Sequence, residues 1–394
     1  MSKRRASTVA ALGVAQTLAW ASSFYLPAIL GAPMARDLGI AMPTVFAAFS
    51  AALLVSAVVG PWAGRLIDRW GGRPVLIGTN LVFALGLAAL SQASGTATLF
   101  AAWLLIGVAM GSGLYEAAFS TLVRLYGRDS RNVITGITLI AGFASTVGWP
   151  LSLWLEASFG WRGACLAWAA LHLLIGVPLN ASLPRSAPSG AERTSGDGAP
   201  DSGDEPVQPQ RVAPLLAFVF AATAFISTAM AAHLPALLQA GGASLAAAVA
   251  VGALVGPAQV AGRLAEFGVL RRVHPLLSAR LAALMHPIGA GLLVIGGAPL
   301  AAAFALLHGA GNGILTIAKG TLPLVMFGPA GYGHRQGMLM VPARLAQALA
   351  PWLFGLWLDA LGAGALWVSA AIGVAAFAAL LALPLHGAQQ RAKD

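Results

Sequence analysis

The chain has 394 residues, of which 58% are hydrophobic and 9% charged, and its mean hydropathy is +0.80. That balance excludes a water-soluble globular protein, whose surface needs far more polar side chains, and marks an integral membrane protein. The net charge of +10 would suit nucleic acid, but the cations fall in short segments between apolar runs, where membrane topology explains them and no nucleic-acid partner is expected.

A bilayer core about 30 Å thick takes roughly 20 apolar residues per helical span, so the chain has room for about a dozen. In the first half the spans read as 8–31, 44–64, 74–94, 98–123, 132–155 and 162–183. MSKRR followed by an apolar run imitates a secretory signal, but with so many spans behind it the stretch reads as an uncleaved first helix. Within span one, Gln16, Trp20 and Ser23 share a helical face and are candidates for lining a substrate cavity. Between spans two and three, GPWAGRLIDRWGGRP places Arg65, Asp68, Arg69 and Arg73 among glycines. Span four carries Glu116; an ionisable group inside a span is costly, so it faces a partner or water and invites a functional reading. Removal from water raises a carboxyl pKa towards neutrality, which makes Glu116 a proton-coupling candidate. The single Cys165 in span six excludes an internal disulfide and a cysteine-cluster metal site.

Residues 184–212 are rich in Pro, Gly, Ser and acidic residues and read as a flexible cytoplasmic linker. Six further spans follow at about 213–239, 244–266, 275–296, 298–325, 338–360 and 363–385. The chain thus divides into bundles at 1–183 and 213–394. The halves echo one another: GSGLYEAAFSTL from Gly111 resembles GNGILTIAKGTL from Gly311, as parallel repeats about an axis along the membrane normal would. Lys319 of span ten lies three positions beyond the counterpart of Glu116 and so occupies a related face. Imidazole as a group titrates near physiological pH, which makes His233 in span seven and His308 in span ten either further proton-coupling candidates or packed, hydrogen-bonded residues. His172 and His286 lie on helices expected to be peripheral or structural. Asn312 either staples helices or binds substrate, because its amide needs partners in a dry setting. Arg344, near the start of span eleven, is an ionisable group in a span and invites a functional reading.

Lys3, Arg4 and Arg5, the arginines of the 2–3, 4–5, 8–9 and 10–11 loops, the linker arginines including Arg193, and the terminal Arg391 and Lys393 outnumber Arg36 and Arg162 on the other face. Both termini and every even-to-odd loop are therefore expected in the cytoplasm, with a bacterial inner membrane as the setting.

Gly64, Leu66, Asp68, Arg69, Gly71 and Arg73, between spans two and three, resemble the signature of the major facilitator superfamily. Gly72 stands where many members carry another arginine. The Gly-rich fourth span, the basic loop after it and Gly160-Trp161-Arg162 are similar to the branch of monocarboxylate porters and oxalate/formate antiporters. The resemblance implies an all-α fold of twelve transmembrane helices in two pseudo-symmetric six-helix bundles, with helices one, four, seven and ten lining a central cavity. It implies that Asp68, with Gly64, Arg69 and Arg73, ties helix two to a neighbouring helix end of the other bundle. Glu116 and Lys319 either pair when the cytoplasmic side is closed, or Lys319 snorkels to cytoplasmic water and Glu116 packs against a local helix end.

Span four lacks the arginine, and span five the Gly-Pro-x-x-Gly-Gly ending, of proton-linked drug antiporters, which disfavours multidrug antiport. No phosphate-binding G-x-x-x-x-G-K-[ST] segment is present, which argues against ATP-driven pumping, and no catalytic or metal-ligating constellation suggests an enzyme or a cofactor. The expected function is secondary active transport of a small organic anion such as a monocarboxylate, coupled to protons, by a monomer in the bilayer. The alternative is an efflux permease for a drug or metalloid.

Overall fold

The structure, a computed structural model, describes residues 3–185 and 209–385; Arg193, Arg391, Lys393 and most of the expected linker lie outside the described residues. Among the described residues there are helices and no strands, as expected where lipid satisfies no open backbone group. By contact the chain forms two units: Met1–Pro209 with Phe327–Met338, and Gln210–Met326 with Leu339–Asp394.

The first unit contains α1 (Lys3–Ala21), α2 (Leu26–Leu38), α3 (Met42–Trp70), α4 (Gly72–Ser91), α5 (Thr96–Gly113), α6 (Tyr115–Tyr126), α7 (Ser130–Ala141), α8 (Ala144–Leu171) and the short α9 (Val177–Ala181). The second contains α10 (Pro209–Ala240, from Gln210), α11 (Leu245–Ala253), α12 (Val255–Gly268), α13 (Pro275–Gly296) and α14 (Ala301–Phe327, to Met326). Helix α15 (Tyr332–Leu361) contributes its first turns to the first unit and the rest to the second, which α16 (Ala365–Leu381) completes.

Nine stretches of the described residues are long and apolar enough to cross a membrane. Two of them, Ser130–Ala181 and Tyr332–Leu381, are 52 and 50 residues long. At 1.5 Å per residue each is over twice a bilayer core of about 30 Å, so each holds two crossings. Gly160, at φ 69°, turns the first of these, and the short 3-10 turn Gly362–Gly364 divides the second. The span read at 244–266 falls into α11 and α12, pieces of 9 and 14 residues. Together these are consistent with twelve crossings.

Both units pack helices through small residues, as membrane helices do. A Cβ on Gly107 or Gly111 of α5 would strike the backbone of α3 at Ala52 or Ser56; one on Gly309 or Gly313 of α14 would strike α12 at Val255 or Gln259. The two contacts correspond in a register two residues removed from the sequence echo of Gly111 with Gly311. Helix approach is governed by which glycine faces the neighbour, not by which residues look alike.

Candidate functional site

The loop residues of the signature build one end of the first unit. Helix α3 ends at Trp70, and Asp68 in its last turn reaches the start of α15, accepting from Gly333 N at 2.9 Å through Oδ1 and from His334 N at 2.8 Å through Oδ2. The first amides of any helix lack intrahelical partners and sit at the positive end of its dipole, so a carboxylate there is doubly favoured. His334 Nδ1 donates to Pro61 O at 3.2 Å. Glycines permit this approach. A Cβ on Gly64 would overlap the Gly333 carbonyl, one on Gly333 would meet Gly64 O and Asp68, and one on Gly337 would meet Gly60 O and Pro61. Gly60 and Gly64 therefore face Gly333 and Gly337, two G-x-x-x-G pairs set against each other. The second pair was missed in the sequence, although its spacing is plain there. Arg69 lies 5.7 Å from the Trp70 ring and Arg73 donates to Leu183 O at 3.4 Å.

The fourth span is interrupted. Leu114 leaves helical geometry at φ −80°, ψ −164° and separates α5 from α6. Such a break frees backbone groups and is tolerated at membrane depth where other groups satisfy them. Gln16 of α1 does so, its Nε2 donating to Gly113 O at 2.6 Å. Glu116 consequently sits in the first turn of α6, where the helix dipole favours an anion. Trp20 packs 4.9 Å from Tyr115 and 5.3 Å from Phe24. Gln16 Oε1 and Trp20 Nε1 are buried without a hydrogen-bond partner among the described residues, one acceptor and one donor on the same stretch of α1. Ser23 does not join them: it is fully buried and donates to Ala19 O at 2.6 Å. At the far end of this unit Trp161 Nε1 and Arg162 both hold Asp37, at 3.1 and 3.0 Å, just after the Gly160 turn.

In the second unit, Arg344 of α15 is 4% exposed and donates to Gln347 Oε1 at 3.1 Å. His233 of α10 donates through Nε2 to Pro351 O at 2.7 Å and so joins α10 to α15. Lys319 lies in α14. His308 and Asn312, one turn apart on α14, line a small cavity with His286 of α13 and Ser227 of α10. His286, expected on a peripheral or structural helix, pairs with His308, Nδ1 to Nδ1 at 3.1 Å. No sequence signal links them, because 22 residues on successive helices carry no fixed facing relation. Among the described residues no group of three or more metal-ligating side chains converges.

The profile of the Major Facilitator Superfamily matches residues 12–315, well over half the chain. The chain belongs to the major facilitator superfamily. It is therefore a multi-pass membrane transporter of a small molecule and not an enzyme. It is 31% identical over 365 residues to an uncharacterised 38 kDa protein in the 23S RNA operon of Thermoproteus tenax, covering 91% of this chain and 89% of that one. It is 30% identical over 376 residues to monocarboxylate transporter 11 of Homo sapiens, covering 83% of this chain and 74% of that one. Among solved structures, that of the human organic anion transporter MFSD10 (TETRAN) superposes with a TM-score of 0.67 at 19% identity, covering 96% of this chain and all of the other. At that identity the likeness shows the fold alone.

Proposed function

We propose that this transporter moves a small organic anion of the monocarboxylate class, coupled to protons, by rocker-switch alternating access in a bacterial inner membrane, as a monomer with both termini in the cytoplasm. The observation that carries the substrate class is the similarity over 83% of the chain to a protein named as a monocarboxylate transporter. Membrane-embedded cations supply the matching chemistry: Arg344, 4% exposed, complements a carboxylate, and its planar fork suits that group in particular. Gln16 and Trp20 offer a neutral acceptor and donor for the rest of the substrate. Glu116 and Lys319 act as the gate, and Glu116, His233 and His308 are the candidates for the coupling proton.

Asp68 is the latch, with Gly64, Arg69 and Arg73 shaping its loop. Its two bonds to the first amides of α15 support this role. Because they touch neither Gln16 nor Arg344, Asp68→Asn is expected to lower the maximal transport rate at least tenfold while leaving substrate affinity within about threefold. A selective loss of affinity would contradict the latch.

The test of the whole reading is uptake of radiolabelled monocarboxylates into proteoliposomes under an imposed proton gradient. Accumulation is expected, and Glu116→Gln is expected to reduce its response to the gradient. Uptake indifferent to both the gradient and Glu116→Gln would remove proton coupling and the role of that carboxylate.

A further inference from the structure

The second unit holds a buried chain of three side chains that the transport reading uses only in part. His308 is 4% exposed, His286 6% and Ser369 0%. His308 Nδ1 faces His286 Nδ1 at 3.1 Å, His286 Nε2 faces Ser369 Oγ at 3.1 Å, and Ser369 Oγ donates to Leu366 O at 2.9 Å. Phe304 stacks on His308 at 5.8 Å between ring centroids, fixing its plane.

The proton positions follow from donor and acceptor counting. A carbonyl supplies no hydrogen, so the Ser369 proton lies towards Leu366 O, and Ser369 receives one from His286 Nε2. Neutral His286 then has a bare Nδ1, which accepts from His308 Nδ1–H. Neutral His308 is left with a lone pair on Nε2, for which the described residues provide no hydrogen-bond partner.

That nitrogen belongs to a residue lining a cavity shared with Asn312, Ser227 and Thr223. The space open to a water's centre is about 20 Å³, enough for one or two waters, since one needs roughly 10–15 Å³. It is too small for a carboxylate with its hydrocarbon tail. Asn312 lies one turn beyond His308 on the same face of α14, so its amide and the Ser227 hydroxyl are placed to hold a water beside the ring. The helices around the pair contribute little competing charge. From α10 come Thr223, Ile226 and Ser227, from α13 Ala282 and Ala283 besides His286, and from α16 Ser369, Gly373 and Ala376. His286 is the one other titratable group among the lining residues described. The guanidinium of Arg280, also on α13, is engaged by the carbonyls of Leu380, Leu381 and Leu383.

We propose that His308 Nε2 is a proton-binding site, reached by water through this cavity and held in accepting form by His286 and Ser369. The balance is simple. A proton arriving on a water bonds to His308 Nε2, the imidazolium passes its Nδ1 proton along the 3.1 Å contact to His286 Nδ1, and the charge is shared by two rings. No other bond is made or broken. His286 and Ser369 are positioning residues, acting through the tautomer of His308. The proposal rests on the proton coupling proposed above and assigns the proton to the second unit.

The test separates the two readings. The full chain in lipid nanodiscs, labelled with imidazole nitrogen-15, is titrated by NMR from pH 8 to 4, with the seven histidines assigned through His308→Gln and His286→Gln. The expected spectrum at pH 8 has His308 protonated on Nδ1 and His286 on Nε2, and acidification within this range adds one proton to the pair. Ser369→Ala should shift that titration and Ser369→Thr restore it. A His308 already protonated on Nε2 at pH 8, or a pair that takes up no proton down to pH 4, overturns the proposal. In proteoliposomes, His308→Gln should reduce proton-driven accumulation at least tenfold while sparing counterflow exchange; accumulation at the wild-type level overturns the proposal as well. A wild type that titrates as expected but accumulates no monocarboxylate supports the proton site and overturns only the substrate class.

Discussion

Each unit buries a histidine against an aromatic ring, and the two are wired differently. In the first unit His172, fully buried, stacks on Phe83 at 4.7 Å. Its Nδ1 meets Asn80 Oδ1 at 2.8 Å and its Nε2 meets Ser22 Oγ at 2.7 Å. Asn80 Nδ2 donates to Leu76 O at 2.8 Å, which fixes the amide's orientation. An amide oxygen only accepts, so His172 keeps its proton on Nδ1; its Nε2 faces Ser22 Oγ, whose single proton is shared between that nitrogen and Leu18 O at 2.8 Å. Each nitrogen faces a side-chain partner. In the second unit a second histidine stands where the asparagine stands in the first, and one nitrogen is left over. The lesson is that a buried imidazole is inert or available according to whether its partners saturate it, not according to its depth.

Three substitutions in the first unit probe this contrast, each read by reversible denaturation in mixed micelles together with the pH profile of transport. The largest effect is expected from His172→Ala, which empties the ring's space and strands Asn80 Oδ1 at a cost of about 4 kcal/mol. Next is Gly176→Ala. The π-helical turn His172–Gly176 brings Gly176 against Asn80, and a Cβ there would overlap the amide oxygen, at a cost of about 2 kcal/mol from overpacking. Smallest is Ser22→Ala, about 1 kcal/mol for one hydrogen bond. None of the three should move the pH profile, whereas His308→Gln should move it with little change in stability. A shifted profile for Ser22→Ala would show the first network to be as open as the second and erase the distinction.

The fold was legible because lipid imposes a coarse rule: long apolar runs between clustered cations. What blurred the count was local. The 244–266 span breaks at Leu254, three residues before Pro257, whose missing N–H leaves the Ala253 carbonyl without its helical donor. Ser227 and Thr223 offered no clue that they border a cavity. The signature loop was legible as a place, and the structure adds which atoms Asp68 meets. Gln16 and Trp20 were found by spacing, and Ser23 was drawn in by the same spacing because α1 ends at Ala21, before that periodicity reaches it. His286 was passed over because a histidine's neighbour on the next helix is a matter of helix rotation, which one sequence does not encode in any short window.

The four glycines where α3 meets α15 carry a consequence for kinetics. Fixing a side chain on contact costs up to about 2 kcal/mol of rotamer entropy, and Gly60, Gly64, Gly333 and Gly337 have none to fix. Backbone surfaces of this kind close without a search through side-chain arrangements and separate without leaving disordered side chains to be repacked. The side-chain bonds described across this contact are those of Asp68 to Gly333 N and His334 N and of His334 to Pro61 O, so a carboxylate and one imidazole hold it where interdigitating side chains would otherwise do so.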